Sequence, residues 1–344
     1  MKIKNNINKK KINLGIELLR MILSFLIVLV HNLSLGISKN KLYLFPRKNL
    51  PYYVPSFFLI AFYFSYNLFI SRNIGKIKER FIRILIPYMG WPILFFLRNN
   101  YVYYRYGIIE NISFKNFYYQ LLVGCGMYGI FWFLFNLLFH SIFFVIIILL
   151  FNKKYLYILF IITFLNYIFA YSSYGFFFFR LYDYVPVGHS ICPIPKMILY
   201  SLTGFFLSSL NIINKLYNYR LIILTLSGIF LFIFTYYNIL SKIKYFYIGI
   251  FIDLCILSEF VFFTMIPFDK INNNIIYIIL KQITSYTGGI YYIHPNVSQI
   301  FGKYILSIRQ RTFIGCLLLY FISYIICLIN SFLFRKSKIK FLFI

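Results

Sequence analysis

The chain has 344 residues, of which 61% are hydrophobic and only 12% charged, and its mean hydropathy is +0.79. Soluble domains carry about a quarter charged residues. Here the apolar residues come in long runs, which excludes a soluble globular protein and defines an all-α, polytopic membrane protein. The net charge of +28 lies mostly between those runs, where it anchors spans and attracts anionic headgroups, so nucleic acid is not the expected partner.

Ile, Phe, Tyr, Lys and Asn all have AT-rich codons, and a skewed genome accounts for 44 Phe and 34 Tyr without any aromatic cage. The five cysteines, Cys125, Cys192, Cys255, Cys316 and Cys327, show no CxxC spacing and no ligand-like pattern. Three of them sit inside apolar runs, so buried thiols are expected, with no disulfide framework and no metal site.

Residues 1–13 read as a basic cytoplasmic tail, followed by a single transmembrane domain over 14–334 and a second basic cytoplasmic tail over 335–344. The first apolar run is too long for a signal-peptide core and lacks a small-residue cleavage site, so it is expected to be a retained helix. About ten spans are predicted, near 14–36, 52–70, 84–98, 128–151, 155–172, 194–213, 220–239, 245–266, 274–296 and 313–334. The third is short and has room to begin before Arg83. With both termini inside, the inner segments hold 19 Lys and Arg and the outer ones 14, a bias that favours this orientation. Loops 99–127 and 173–193 are long and aromatic, as functional loops often are.

The first span, ELLRMILSFLIVLVH, carries Glu17, Arg20 and His31. Eleven residues separate Arg20 from His31, about 16 Å along a helix and within roughly 20° of one face, and Glu17 sits one turn before Arg20. This polar stripe is expected to face the bundle interior or a watery cavity, because an unpaired ionisable group at membrane depth costs several kcal/mol. The plainer alternatives are that Arg20 snorkels to the headgroups with Glu17, and that His31 bonds a backbone carbonyl at the interface.

In KERFIRILIPY, Arg80 and Arg83 share a helix face three residues apart, with Lys76 and Lys78 adding positive field. Guanidinium forks suit phosphates, although a positive-inside anchor would look similar. In GGIYYIH, Gly288 and Gly289 permit close helix packing, and Tyr291 and His294 lie one turn apart. GIFWFLFNLLFH brings Trp132 to an interface. For His140, Asp253 and Glu259 the sequence leaves structural pairing and a site role equally open. No HExxH, GxSxG, P-loop or GxGxxG occurs.

Taken in order, these segments resemble the acyltransferase-3 family of integral membrane O-acyltransferases. IELLR with its R-x10-H pair, VPSFFLIAFYF, KERFIRILIPYMGW, GIFWFLFNLL and SYTGGIYYIH are similar to that family's patterns over about 280 residues. One departure is that Ala61 and Phe62 precede Tyr63 where the family often has Ser-Gly, which puts any role for that turn in doubt.

The resemblance implies transfer of an acyl group, commonly acetyl, from cytoplasmic acyl-CoA to a hydroxyl of a cell-surface or lipid-linked glycan. The protein would sit in the plasma (inner) membrane, with acyl-CoA as co-substrate and no bound cofactor. On that basis His31 is the expected general base, since neutral imidazole suits deprotonation of an alcohol. Glu17 would orient Arg20, while Arg20, Arg80 and Arg83 would hold the donor phosphates. Tyr63, Trp132, Tyr291 and His294 are pocket candidates. A transporter or flippase for a lipid-linked glycan would use the same buried charges without chemistry, and a structural membrane component would use them for helix packing.

Overall fold

A computed structural model of the chain describes residues 2–32, 50–106, 114–123, 131–170, 185–187, 190–192, 194–240, 248–266, 274–305 and 313–344. In order, its helices are α1 (Lys2–Asn32), α2 (Leu50–Ile70), α3 (Ile74–Tyr106), α4 (Phe114–Val123), α5 (Trp132–Leu150) and α6 (Lys153–Ala170). Then come α7 (Ile194–Ser209), α8 (Ile212–Leu216), α9 (Arg220–Leu240), α10 (Ile248–Met265), α11 (Asn274–Ser285), α12 (Thr287–Ile305) and α13 (Phe313–Leu333). Between α6 and α7, β1 (Val185–Val187) pairs antiparallel with β2 (Ser190–Cys192), a three-residue ladder in an otherwise helical chain. Most of the expected loop 173–193, residues 107–113 and 124–130 of the expected loop 99–127, and Cys125 lie outside the described residues.

Among the described residues, six helices are long and apolar enough to cross a membrane: Leu14–Asn32, Tyr53–Ile70, Ile74–Tyr101, Trp132–Leu150, Ile212–Phe234 and Ile314–Leu333. Each overlaps one of the expected spans, although Ile74–Tyr101 begins ten residues before the expected 84–98 and Ile212–Phe234 eight before the expected 220–239. Met197–Ser209 and Ile275–Ser285 are apolar but shorter. Exposed apolar residues follow helical spacing, as with Ile314, Leu318, Phe321, Ile325 and Ile329 on α13 and Phe139, Ile142, Ile146 and Leu149 on α5. Outward stripes of this kind are lipid-facing surfaces.

Three local departures from the sequence reading have physical causes. First, α3 runs unbroken through both arginines. Asn73 precedes it, and the Asn73 Oδ1 accepts from the Lys76 N–H at 3.0 Å, so the helix starts there. Its buried residues Ile77, Ile84, Tyr88, Trp91 and Phe95 recur every three, four or seven positions, which continues one packed face through the basic segment. It also extends to Tyr106, and α4 follows, so part of the expected loop 99–127 is helical.

Second, the expected span 274–296 is two helices joined at Tyr286. There Thr284, Ser285 and Thr287 turn their hydroxyls back onto the carbonyls of Lys281, Gln282 and Thr284. Such bonds compete with the helix ladder, and the following Gly288 and Gly289 are poor helix formers.

Third, the group packed on the glycine pair is not a helix but the chain's own end. A 3-10 turn (Lys338–Leu342), capped by Ser337 accepting from the Ile339 N–H, brings the backbone of Phe343 against Gly289. A Cβ on Gly289 would overlap the Phe343 carbonyl. Residues 335–344 are therefore partly a packed segment, with Phe341 buried.

The chain divides into two compact units, Met1–Ile60 with Leu207–Ile344, and Ala61–Phe206. In the first, α1 packs against α10, α11, α12 and α13, with Ile16, Leu19, Leu23 and Ile27 buried on its inner face. Gly15 lets α1 approach so closely that a Cβ there would overlap the Phe263 carbonyl of α10. Lipid tails are as apolar as leucine, so helices in a bilayer associate by close packing and hydrogen bonds of this kind. In the second unit, α3 packs against α4 and α5, and α5 against α6, around Phe62, Phe95, Phe131, Phe144 and Phe205. Cys255, Cys316 and Cys327 are buried, as their apolar settings imply.

Candidate functional site

Within the first unit, the polar stripe of α1 is engaged with the helices around it. Arg20 donates from Nη1 to Glu17 Oε2 at 3.1 Å, and from Nη2 to the Thr284 carbonyl at 3.2 Å and Thr287 Oγ1 at 3.3 Å. The break between α11 and α12 makes that carbonyl available. A snorkelling arginine would reach away from the bundle, whereas Arg20 reaches into it.

One turn further on, Ser24 Oγ donates to the Met21 carbonyl at 2.8 Å and lies 2.9 Å from the Tyr320 hydroxyl of α13. At the far end of the stripe, His31 Nδ1 lies 2.9 Å from His294 Nε2, and the two rings stack with centroids 5.1 Å apart. His31 is exposed, whereas His294 is completely buried. Tyr291 flanks both rings, with centroids 6.5 Å from His31 and 6.1 Å from His294. His31 is therefore held by another imidazole, not by a backbone carbonyl.

The order Arg20–Thr287 and His31–His294 is the same along both helices, so α1 and α12 run parallel. Parallel spans require an even number of membrane crossings between their starts. Five groups expected from the sequence (Glu17, Arg20, His31, Tyr291 and His294) thus lie in successive groups of contacts along one stripe of α1. Ser24, Thr284, Thr287 and Tyr320 complete it. Ser24 was the one legible signal among these four, since it stands four residues after Arg20 on the same stripe.

The other four candidates, Tyr63, Arg80, Arg83 and Trp132, belong to the second unit. Tyr63 is half-buried on α2, and Trp132 opens α5, where its carbonyl accepts from Asn136 Nδ2 at 2.8 Å. Arg80 and Arg83 are divided by environment. Arg80 follows the buried stripe of α3, its guanidinium 5.6 Å above the Phe69 ring. Its Nε and Nη2 are buried and have no hydrogen-bond partner among the described residues. Arg83 points roughly 60° further round the helix and pairs with Glu79 Oε1 at 2.5 Å on the exposed side.

The structure also finds partners for two of the undecided groups. Glu259 on α10 accepts from Ser56 Oγ at 2.9 Å, inside the first unit. His140 on α5 bonds Ser201 Oγ of α7 at 2.9 Å in the second, where both are completely buried. Asp253 lies on α10, nearly two turns before Glu259.

A bundle of apolar helices with an exposed, braced imidazole at one end of a buried polar stripe has the makings of a membrane enzyme. The chain belongs to the acyltransferase family, whose model, described as an acyltransferase domain, matches residues 13–335. It is an acyltransferase, and its apolar helices together with the family define an integral membrane protein. No curated protein and no solved structure matches the chain.

Proposed function

We propose that the protein is a membrane O-acyltransferase that moves an acyl group, expected to be acetyl, from cytoplasmic acyl-CoA to a hydroxyl of a cell-surface or lipid-linked glycan. It would work in the plasma membrane with both termini on the cytoplasmic side. The observation that carries this reading is His31, an imidazole exposed on one side and hydrogen-bonded on the other, at the end of a stripe whose Glu17, Arg20 and Ser24 are themselves hydrogen-bonded. Such a ring can take a proton without first having to be oriented.

In the reaction, the acceptor oxygen attacks the thioester carbonyl while its proton passes to His31. The C–S bond then breaks, and the CoA thiolate takes that proton back from the imidazolium, leaving an ester and a free thiol. Arg80 supports the donor side, because its buried N–H groups are directed at no described protein acceptor and suit a phosphate. Arg83 adds positive charge on the exposed face. Arg20 has two of its five N–H groups left over from Glu17, Thr284 and Thr287, so it braces the stripe first and meets the donor second.

The test is mass spectrometry of surface glycans from cells with the protein, without it, and with His31→Ala. The expected result is an ester mass increment that vanishes in the last two with the glycan otherwise intact. Loss of the glycan itself, with no change in esterification, would overturn the reading in favour of a transporter.

A further inference from the structure

The hydrogen bonds around the two imidazoles fix where each proton sits. His294 Nδ1 lies 3.2 Å from the Ile290 carbonyl. A carbonyl oxygen only accepts, so Nδ1 must carry the hydrogen. In a neutral imidazole one nitrogen donates and the other accepts. His294 Nε2 is therefore a lone pair, and the nitrogen 2.9 Å from it, His31 Nδ1, must donate. That puts the remaining lone pair of His31 on Nε2, which has no hydrogen-bond partner among the described residues.

We propose that His294 is a positioning residue: the Ile290 backbone carbonyl holds its proton on Nδ1, and its Nε2 in turn holds His31 as the Nδ1–H tautomer, with the Nε2 lone pair turned to the acceptor hydroxyl. The inference rests on the acyl-transfer reading for its purpose, but not for its geometry. The orienting partner is neutral and buried. A carboxylate in the same place would also attract the proton that His31 takes up, whereas His294 directs the ring without adding a charge.

The experiment uses the full-length protein in lipid nanodiscs with 15N-labelled histidine. The chain has four histidines, so single substitutions assign the resonances. In the wild type, His31 is expected to show a protonated Nδ1 and a lone-pair Nε2. His294→Leu removes the acceptor and should shift His31 toward the Nε2–H form. His294→Gln offers an amide oxygen near the same point and should restore the wild-type pattern. Alongside, thiol release from acetyl-CoA is measured with methyl glucoside as the acceptor probe. His294→Leu is expected to lower kcat by roughly 10²-fold, with the KM for acetyl-CoA within about twofold, and His294→Gln to recover part of it.

A wild-type His31 protonated on Nε2 would overturn the proposal, as would a His294→Leu protein whose His31 tautomer is unchanged. If the wild-type resonances fit and no form of the enzyme consumes acetyl-CoA, the positioning geometry stands and the acyl-transfer reading fails. If His294→Leu does not fold, the wild-type assignment and the glutamine variant still decide the matter.

Discussion

Arg20 and Arg80 are both arginines inside apolar helices, yet one is held by three hydrogen bonds and the other keeps buried N–H groups unmatched among the described residues. Arg20 has a carboxylate, a carbonyl and a hydroxyl around it, all from its own unit, and its side chain is 29% exposed. Arg80 lies over an aromatic ring with Nε and Nη2 buried and unmatched among the described residues. A buried guanidinium N–H without an acceptor is costly, and proteins retain such a group where something else supplies the acceptor. The comparison teaches that equal charge does not mean equal surroundings: Arg20 ties α1 to the α11–α12 junction, whereas Arg80 keeps buried N–H groups unmatched by any described acceptor.

Substitutions can break that contrast, and the largest effect is expected at Arg20. Arg20→Met leaves the Glu17 carboxylate without its Arg20 donor and the Thr284 carbonyl with only the Thr287 hydroxyl of its two side-chain donors, so unfolding in detergent should become easier by about 1–3 kcal/mol. A lowered Tm with KM unchanged in the surviving enzyme supports the bracing role; a normal Tm with a raised KM for acetyl-CoA would transfer Arg20 to the donor site. Next comes Arg80→Ala. It should raise the KM for acetyl-CoA by about tenfold, or about 1.4 kcal/mol, with a smaller change in kcat. An unaltered KM would show that the unmatched N–H groups serve something other than the donor.

Two smaller effects sharpen the picture. Tyr320→Phe removes the hydroxyl facing Ser24 and should cost about 0.6 kcal/mol, the usual size for a hydrogen bond between helices in a bilayer. Thermal unfolding of that variant beside Ser24→Ala and the double variant would measure the pair directly. The smallest change is expected for Arg83→Ala. Its side chain is 57% exposed and already paired with Glu79, so the KM for acetyl-CoA should rise by about threefold or less and the effect should fade in high salt. A large, salt-resistant loss would place Arg83 in the donor site with Arg80.

Much of the fold was legible because hydrophobic length and helical periodicity are local properties. The apolar run after Arg20 makes α1 a span, and 100° per residue aligns Glu17, Arg20 and His31 whatever surrounds them. The breakdown of the 274–296 run was less visible, since apolar content there masks three hydroxyl side chains that bond back to carbonyls three residues earlier. The division of Arg80 from Arg83 was hidden for a related reason. Their three-residue spacing makes them neighbours, and only the buried residues from Ile77 to Phe95 reveal which of the two lies on the packed face.

By itself, the sequence determined that this is a helical membrane protein with one ionisable stripe on its first span, because those features follow from composition and helical geometry. The tertiary structure alone decided what the stripe meets. Thr284, Thr287, His294 and Tyr320 stand more than 260 positions away, and no local rule links them to α1. It also decided the chemistry open to His31, since a ring nitrogen becomes donor or acceptor only through the partner that packing sets opposite it.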